Sequence, residues 1–253
     1  MAVLPHEGTH SVMYGTYSTP AGSSYRSDYM ARPDAVGRFP VVLITSGPGD
    51  VSSHVKSVCR FLARRGMVSL ALGLEPGSSN GAHHRMGDVD LLAQLDETHR
   101  FLNDHDLDWA LGDRVGVLGI GSGGRLAILA GALRSWVGPV AVLYGPLTGD
   151  EQRRYPTTEQ LERLGAAVLG IYAADDDLIE PGTVDNAQDR NPAGAWLLYE
   201  GVGHGFVDEN HPNYDEDAAM DALERLAGFF ASHPPAPQTL ALGKSSPGAP
   251  RLW

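Results

Sequence analysis

Three short segments of this 253-residue chain put residues capable of chemistry in a fixed order. The first is Val115-Gly-Val-Leu-Gly-Ile-Gly-Ser-Gly-Gly-Arg-Leu-Ala-Ile-Leu129, an apolar run that enters a glycine cluster and continues as an Ala/Leu-rich helix. A strand that turns sharply into a helix lifts one residue to the end of a sheet, the arrangement of a nucleophile elbow. The residues two before and two after the apex must be small, because strand and helix backbones come close there. Gly119 and Gly123 meet that demand around Gly121. Taking Ser122 as the apex puts Ile120 at the first small position, although Gly124 still fits the second. Gly119-x-Gly121-x-x-Gly124 also matches a dinucleotide fingerprint. That pattern is weak alone, and it normally sits on the first strand–helix unit rather than after several strands.

The other two segments supply an acid and a base. Ala167-Val-Leu-Gly-Ile-Tyr-Ala-Ala-Asp-Asp-Asp-Leu-Ile-Glu-Pro181 places carboxylates just beyond a strand. Leu197-Leu-Tyr-Glu-Gly-Val-Gly-His204-Gly-Phe206 places a histidine in a glycine-flanked turn after the next one. Taken singly, a run of aspartates is a solvated loop and a lone histidine is a structural residue. Their order after an elbow is the order nucleophile, acid, histidine, and together the three read as a catalytic site.

The elements that must hold these residues alternate between strand and helix. Pro40–Thr45 and Val68–Leu72 are apolar runs of the kind buried on both faces of a parallel sheet. Between them Val55, Val58, Cys59 and Leu62 mark a helix ended by Gly66. A loop rich in Gly, Ser, Asn and His (Gly77 to Gly87) precedes a helix capped by Asp88, with Leu91, Leu92, Leu95 and Leu102 on one face. Further strands read at Arg114–Leu118, Pro139–Tyr144, Ala167–Ala173 and Ala195–Tyr199, and a last helix over Asp215–Ala231 buries Met220, Leu223, Leu226 and Phe230. The fold class is α/β, a mostly parallel sheet with helices on both faces. Residues 1–39 supply antiparallel edge strands, 40–232 form the core, and 233–253 are a Pro/Gly/Ser-rich tail. That tail reads either as a linker or as a segment docking Leu240, Leu242, Leu252 and Trp253 on the domain or on a second copy in a homodimer.

Composition narrows the function. A net charge of −12 argues against nucleic acid, whose phosphates require a basic face. The single cysteine, Cys59, excludes an internal disulfide and fits a reducing cytoplasm. No apolar run spans a membrane and no secretory signal is read at the start. Ten histidines invite a metal, but no His-x-His spacing occurs, the His-Glu-x-x-His match at His6-Glu-Gly-Thr-His10 falls in the edge-strand stretch and not on the helix that such a site needs, and His83-His84-Arg85 reads as a solvated loop. The expectation is a soluble cytoplasmic protein with a small-molecule substrate, no cofactor and no metal.

From about Pro40 to Phe230 the chain resembles the dienelactone hydrolases, a branch of the α/β-hydrolases with a cysteine nucleophile. Gly119-Ile-Gly121-Ser122-Gly123-Gly124 matches every glycine of that family's Gly-aromatic-Cys-x-Gly-Gly elbow, and Gly203-His204-Gly205-Phe206 matches its Gly-His-x-Phe. Ile171 to Pro181 resembles its acid segment, and counting from the strand puts the triad carboxylate on Asp176, between Asp175 and Asp177. The resemblance implies an α/β-hydrolase fold with His204, Asp176 and the elbow as the catalytic residues. It also exposes departures. Glycine stands where the family has cysteine, Thr45-Ser46-Gly47-Pro48-Gly49 lacks the carboxylate often found there, and Asp208 replaces the substrate-binding arginine four residues after the histidine.

Chemistry survives such an elbow. The amides of Ser122 and Gly123 at a helix start, with one from the Ser46–Gly47 turn, are suited to an oxyanion. His204 oriented by Asp176 is a general base or acid, with Phe206 near the substrate. Three readings follow: acid–base chemistry on a small carbonyl, ester or lactone without a covalent nucleophile (hydrolysis by water, or cyclisation, isomerisation or elimination); a conventional ester or lactone hydrolase using Ser122; and a catalytically silent binding protein.

Overall fold

The computed structural model describes residues 8–47, 49, 51–74, 87–104, 107–148 and 155–234, and the backbone alone at 78–79 and 82–83. Among the described residues ten strands and six helices follow one another, beginning β1 Val12–Ala21, β2 Ser24–Pro33, β3 Phe39–Thr45, α1 Ser53–Arg64, β4 Val68–Ala71, β5 Ser78–Ser79, β6 Ala82–His83 and α2 Asp88–Asp104. The second half continues β7 Ala110–Ile120, α3 Gly123–Leu133, β8 Val137–Leu143, α4 Thr157–Arg163, β9 Val168–Ala173, α5 Thr183–Arg190, β10 Ala195–Tyr199 and α6 Glu216–Ser232.

Eight strands form one sheet in the order β1-β2-β4-β3-β7-β8-β9-β10. All neighbours from β4 to β10 pair in parallel, and the β1–β2 hairpin joins antiparallel through β4. Side chains alternate across the pleat, so each apolar strand feeds two cores at once. Val42 and Ile44 of β3 meet Val55, Val58, Cys59 and Leu62 of α1 and Leu223, Leu226 and Phe230 of α6. Val41 and Leu43 meet Leu92 and Leu95 of α2 and Leu126 to Ala130 of α3 on the opposite face. This is the α/β-hydrolase fold, with the carboxyl ends of the parallel strands at one edge where the loops that carry chemistry emerge.

The structure departs from the sequence expectation in detail. β7 starts at Ala110 rather than Arg114, because Ala110 and Leu111 pair with Phe39 and Pro40 before a register shift. Asp88 lies in the first turn of α2 rather than before it, where its carboxylate receives both terminal nitrogens of Arg125 from α3. The Gly77–Gly87 loop contains the β5–β6 hairpin. Helices α4 and α5 have too short an apolar period to be read, α5 burying only Thr183 and Ala187. Met220 is only partly buried. Among the described residues no helix is long and apolar enough to cross a membrane. The tail residues Leu240, Leu242, Leu252 and Trp253, and His84 and Arg85, lie outside the described residues.

Candidate active site

Gly121 occupies the turn between β7 and α3 at φ +53°. Its N–H donates to the Leu143 carbonyl at 3.0 Å and its carbonyl accepts from the Gly124 N–H at 2.9 Å, so the turn is held from β8 and from within. The neighbouring glycines are steric necessities. A Cβ on Gly119 would stand 2.4 Å from the Gly124 Cα, and one on Gly123 would stand 2.1 Å from the Thr45 carbonyl oxygen. Gly121 differs: a Cβ there would meet nothing within 4 Å. Space is open at the apex, and only the left-handed backbone angle disfavours a side chain.

Ser122 follows as the N-cap residue of α3, exposed and without a side-chain capping bond. Its hydroxyl lies against the β3–α1 turn, since a Cβ on Gly47 would come within 2.4 Å of the Ser122 Oγ. No hydrogen bond joins Ser122 to the His204 ring among the described residues. The half-buried Ser46 and Gly47 thus adjoin the start of α3, a Cβ on Gly123 falling 2.7 Å from the Ser46 nitrogen. The site therefore brings the first amides of a helix beside a glycine turn, an arrangement that favours negative charge.

The acid and the base meet across two loops. Asp176 leaves the carboxyl end of β9, and its Oδ2 lies 2.8 Å from Nδ1 of His204, which follows β10. Its Oδ1 accepts the Leu178 N–H at 2.9 Å, an Asx turn that fixes the carboxylate. The Asp176 side chain is 1 % exposed against 20 % for His204, so the acid is shielded and the base reaches the open side. Asp175 and Asp177 are both exposed. The Asn213 side-chain amide donates to the His204 carbonyl at 3.0 Å, bracing the turn from behind. Phe206, expected beside the substrate, is instead fully buried, its ring 5.2 Å from that of Tyr199. It backs the histidine turn as a core residue.

Sequence reasoning missed a cluster next to His204. Tyr144, just past β8, has its ring 5.1 Å from the His204 ring in an edge-to-face contact. Its hydroxyl lies 3.0 Å from Nε2 of His54 on α1, whose Nδ1 lies 3.3 Å from Oε2 of Glu209. Glu209 also accepts from the Ser57 hydroxyl at 2.7 Å. The only forewarning was positional: the expected strand at Pro139–Tyr144 ends at the same sheet edge as the elbow. His54, Asp208 and Glu209 bring three metal-ligating types within 4.8 Å of one another. Each is already engaged, His54 with Tyr144 and Glu209, Glu209 with Ser57, and Asp208 with the Asn210 N–H, so the cluster is accounted for by its own hydrogen bonds.

Comparison with known proteins identifies the family. Residues 27–233 match the Dienelactone hydrolase family. A "Putative carboxymethylenebutenolidase" of Yersinia pestis is 26 % identical over 245 residues, covering 89 % of this chain and 90 % of its own. A "Probable 2-oxo-3-(5-oxofuran-2-ylidene)propanoate lactonase" of a Bradyrhizobium species is 28 % identical over 225 residues, covering 82 % and 90 %. The crystal structure of a "Putative Dienelactone Hydrolase" from Klebsiella pneumoniae superposes with a TM-score of 0.77 at 26 % identity, covering 88 % of this chain and all of that one. The family match spans most of β2, the parallel strands, the elbow, and the acid and histidine loops, and the chain belongs to the dienelactone hydrolase family.

Proposed function

We propose that this protein acts on a small carbonyl, ester or lactone compound by acid–base chemistry at His204, oriented by Asp176, without a covalent enzyme intermediate. The observation that carries the reading is the apex: Gly121 faces open space while the Ser122 hydroxyl lies toward Gly47 and makes no hydrogen bond to His204. A water or a substrate group occupying the apex space would receive or give a proton at His204. The Ser122 and Gly123 amides, with the Ser46–Gly47 turn, would carry the charge developing on the carbonyl oxygen. The lactonase and carboxymethylenebutenolidase names of the relatives support a cyclic ester as the substrate class. Asp208 and Glu209, following the histidine turn, favour a substrate with no carboxylate at that end.

The test is covalent labelling together with turnover. Incubation with a fluorophosphonate and with iodoacetamide should leave the intact mass of the folded protein unchanged. Hydrolysis of a simple lactone such as dihydrocoumarin should fall about 10²- to 10⁴-fold in His204→Ala, the usual worth of a general base. A stoichiometric adduct on Ser122 would instead establish a serine hydrolase.

A further inference from the structure

A second carboxylate–imidazole–hydroxyl file runs beside Asp176 and His204. Glu209 Oε2, His54 Nδ1, His54 Nε2 and the Tyr144 hydroxyl are joined by contacts of 3.3 and 3.0 Å. The His54 and Glu209 side chains are each 5 % exposed, and Tyr144 is equally buried. Proton positions follow from chemistry. Burial opposes charge on Glu209, but hydrogen bonds from His54 and Ser57 outweigh it and hold the carboxyl at about 2. An ionised carboxylate only accepts, so Nδ1 of His54 carries a proton, and in the neutral imidazole Nε2 presents a lone pair. To that neutral ring the Tyr144 hydroxyl donates. Burial, reinforced by the charges of Asp208 and Glu209, pushes that phenol upward, so it keeps its proton.

Tyr144 is held at its other end too. Its N–H donates to the Ile171 carbonyl at 2.8 Å, and the preceding Leu143 carbonyl accepts from Gly121 at the elbow. Among the described residues it is the one non-glycine residue at positive φ, +40°. A strained backbone persists where its surroundings over-determine it, and such residues collect at active sites. Here the tethered hydroxyl and the sheet-bound backbone fix the ring between them, and that ring abuts His204 at 65°. The His211 ring stands farther off, at 6.2 Å from that of His204.

We infer that Glu209, His54 and Tyr144 are positioning residues: the first two lock the Tyr144 hydroxyl, and the Tyr144 ring thereby sets the orientation of His204 against Asp176. This rests on the reading of His204 as the base of the site. Each member acts through its neighbour, so the effect is on the geometry of the base rather than on substrate contact.

Proton NMR of the full-length protein tests it without needing a substrate. The Nδ1–H of His204, bonded to Asp176, gives a low-field resonance identified by its loss in His204→Ala. Tyr144→Phe and His54→Gln should each speed its exchange with water about five- to tenfold, the change expected from losing one hydrogen bond that restrains the pair. Core amides such as that of Leu118 should keep their exchange rates, as should every signal in Tyr25→Phe, a change at an exposed phenol. Unchanged His204 exchange in the variants, or a parallel rise in the core amides, would overturn the positioning role. A wild-type protein with no such low-field resonance would overturn the Asp176–His204 pairing itself, and the inference with it.

Discussion

Asp176 stands between two exposed aspartates yet is the one that meets His204, 2.8 Å from its Nδ1. The family resemblance singles it out, and since β9 ends at Ala173 its carboxylate is oriented by the Leu178 N–H and not by the pleat. Tyr144 offered no such handle. Its part depends on a positive φ and on partners 90 residues back and 65 residues ahead in the sequence, at His54 and Glu209, and neither is written in local pattern. Phe206 misled for the opposite reason: a motif places it next to the histidine, but an aromatic ring beside a glycine turn is drawn into the core. At this scale Asp176→Asn is the informative change. It preserves shape but no longer selects the His204 tautomer or stabilises its charged form, so lactone turnover should fall by about 10²-fold or more with little change in KM. Steady-state kinetics that show only a raised KM would place Asp176 in binding instead.

Glycine in the elbow serves the packing of β7 against α3. The strand and helix touch at backbone distance, and the Thr45 hydroxyl locks the join by donating to the Gly123 carbonyl at 2.9 Å. Alanine at Gly121 and at Gly123 should therefore have unequal costs. Gly121→Ala meets no neighbour and bears only the left-handed angle, about 1–2 kcal/mol. Gly123→Ala must displace the Thr45 carbonyl, which should cost about 3 kcal/mol or more. Urea unfolding of the two variants compares them, and equal losses would contradict the packing described here. The parallel strands were legible as β-branched runs because both faces are buried. Helices α4 and α5 were not, since seven and eight residues give a 3.6-residue period too few repeats to show.

Across the whole molecule, charge and fold class could be read from composition and alternation alone, while the links between distant loops could not. One such link is Glu209, which ties the loop before α6 to α1 through His54 and Ser57. Its carboxyl is held at about 2, below the ordinary 4.5, so it stabilises the folded state above pH 4.5 and loses that contribution as pH falls toward 2. Glu209→Gln should accordingly be less stable than wild type at neutral pH, with the two converging in acid. Urea midpoints measured from pH 7 to pH 2 check the sign, and a difference that grows in acid would contradict it. The net charge of −12 acts at the same scale, repelling anions from the surface.

On the proposed reading, oxyanion donors, base and acid surround an apex that lacks only a nucleophile. Restoring one by Gly121→Cys tests it most directly. The open space admits the thiol, and the backbone angle costs about 1–3 kcal/mol, which a folded domain tolerates. His204 then faces a thiol it can deprotonate. Hydrolysis of 4-nitrophenyl acetate should rise well above wild type in Gly121→Cys and return to the wild-type level in Gly121→Cys with His204→Ala. A folded Gly121→Cys protein no faster than wild type, or equally fast with and without His204, would contradict it.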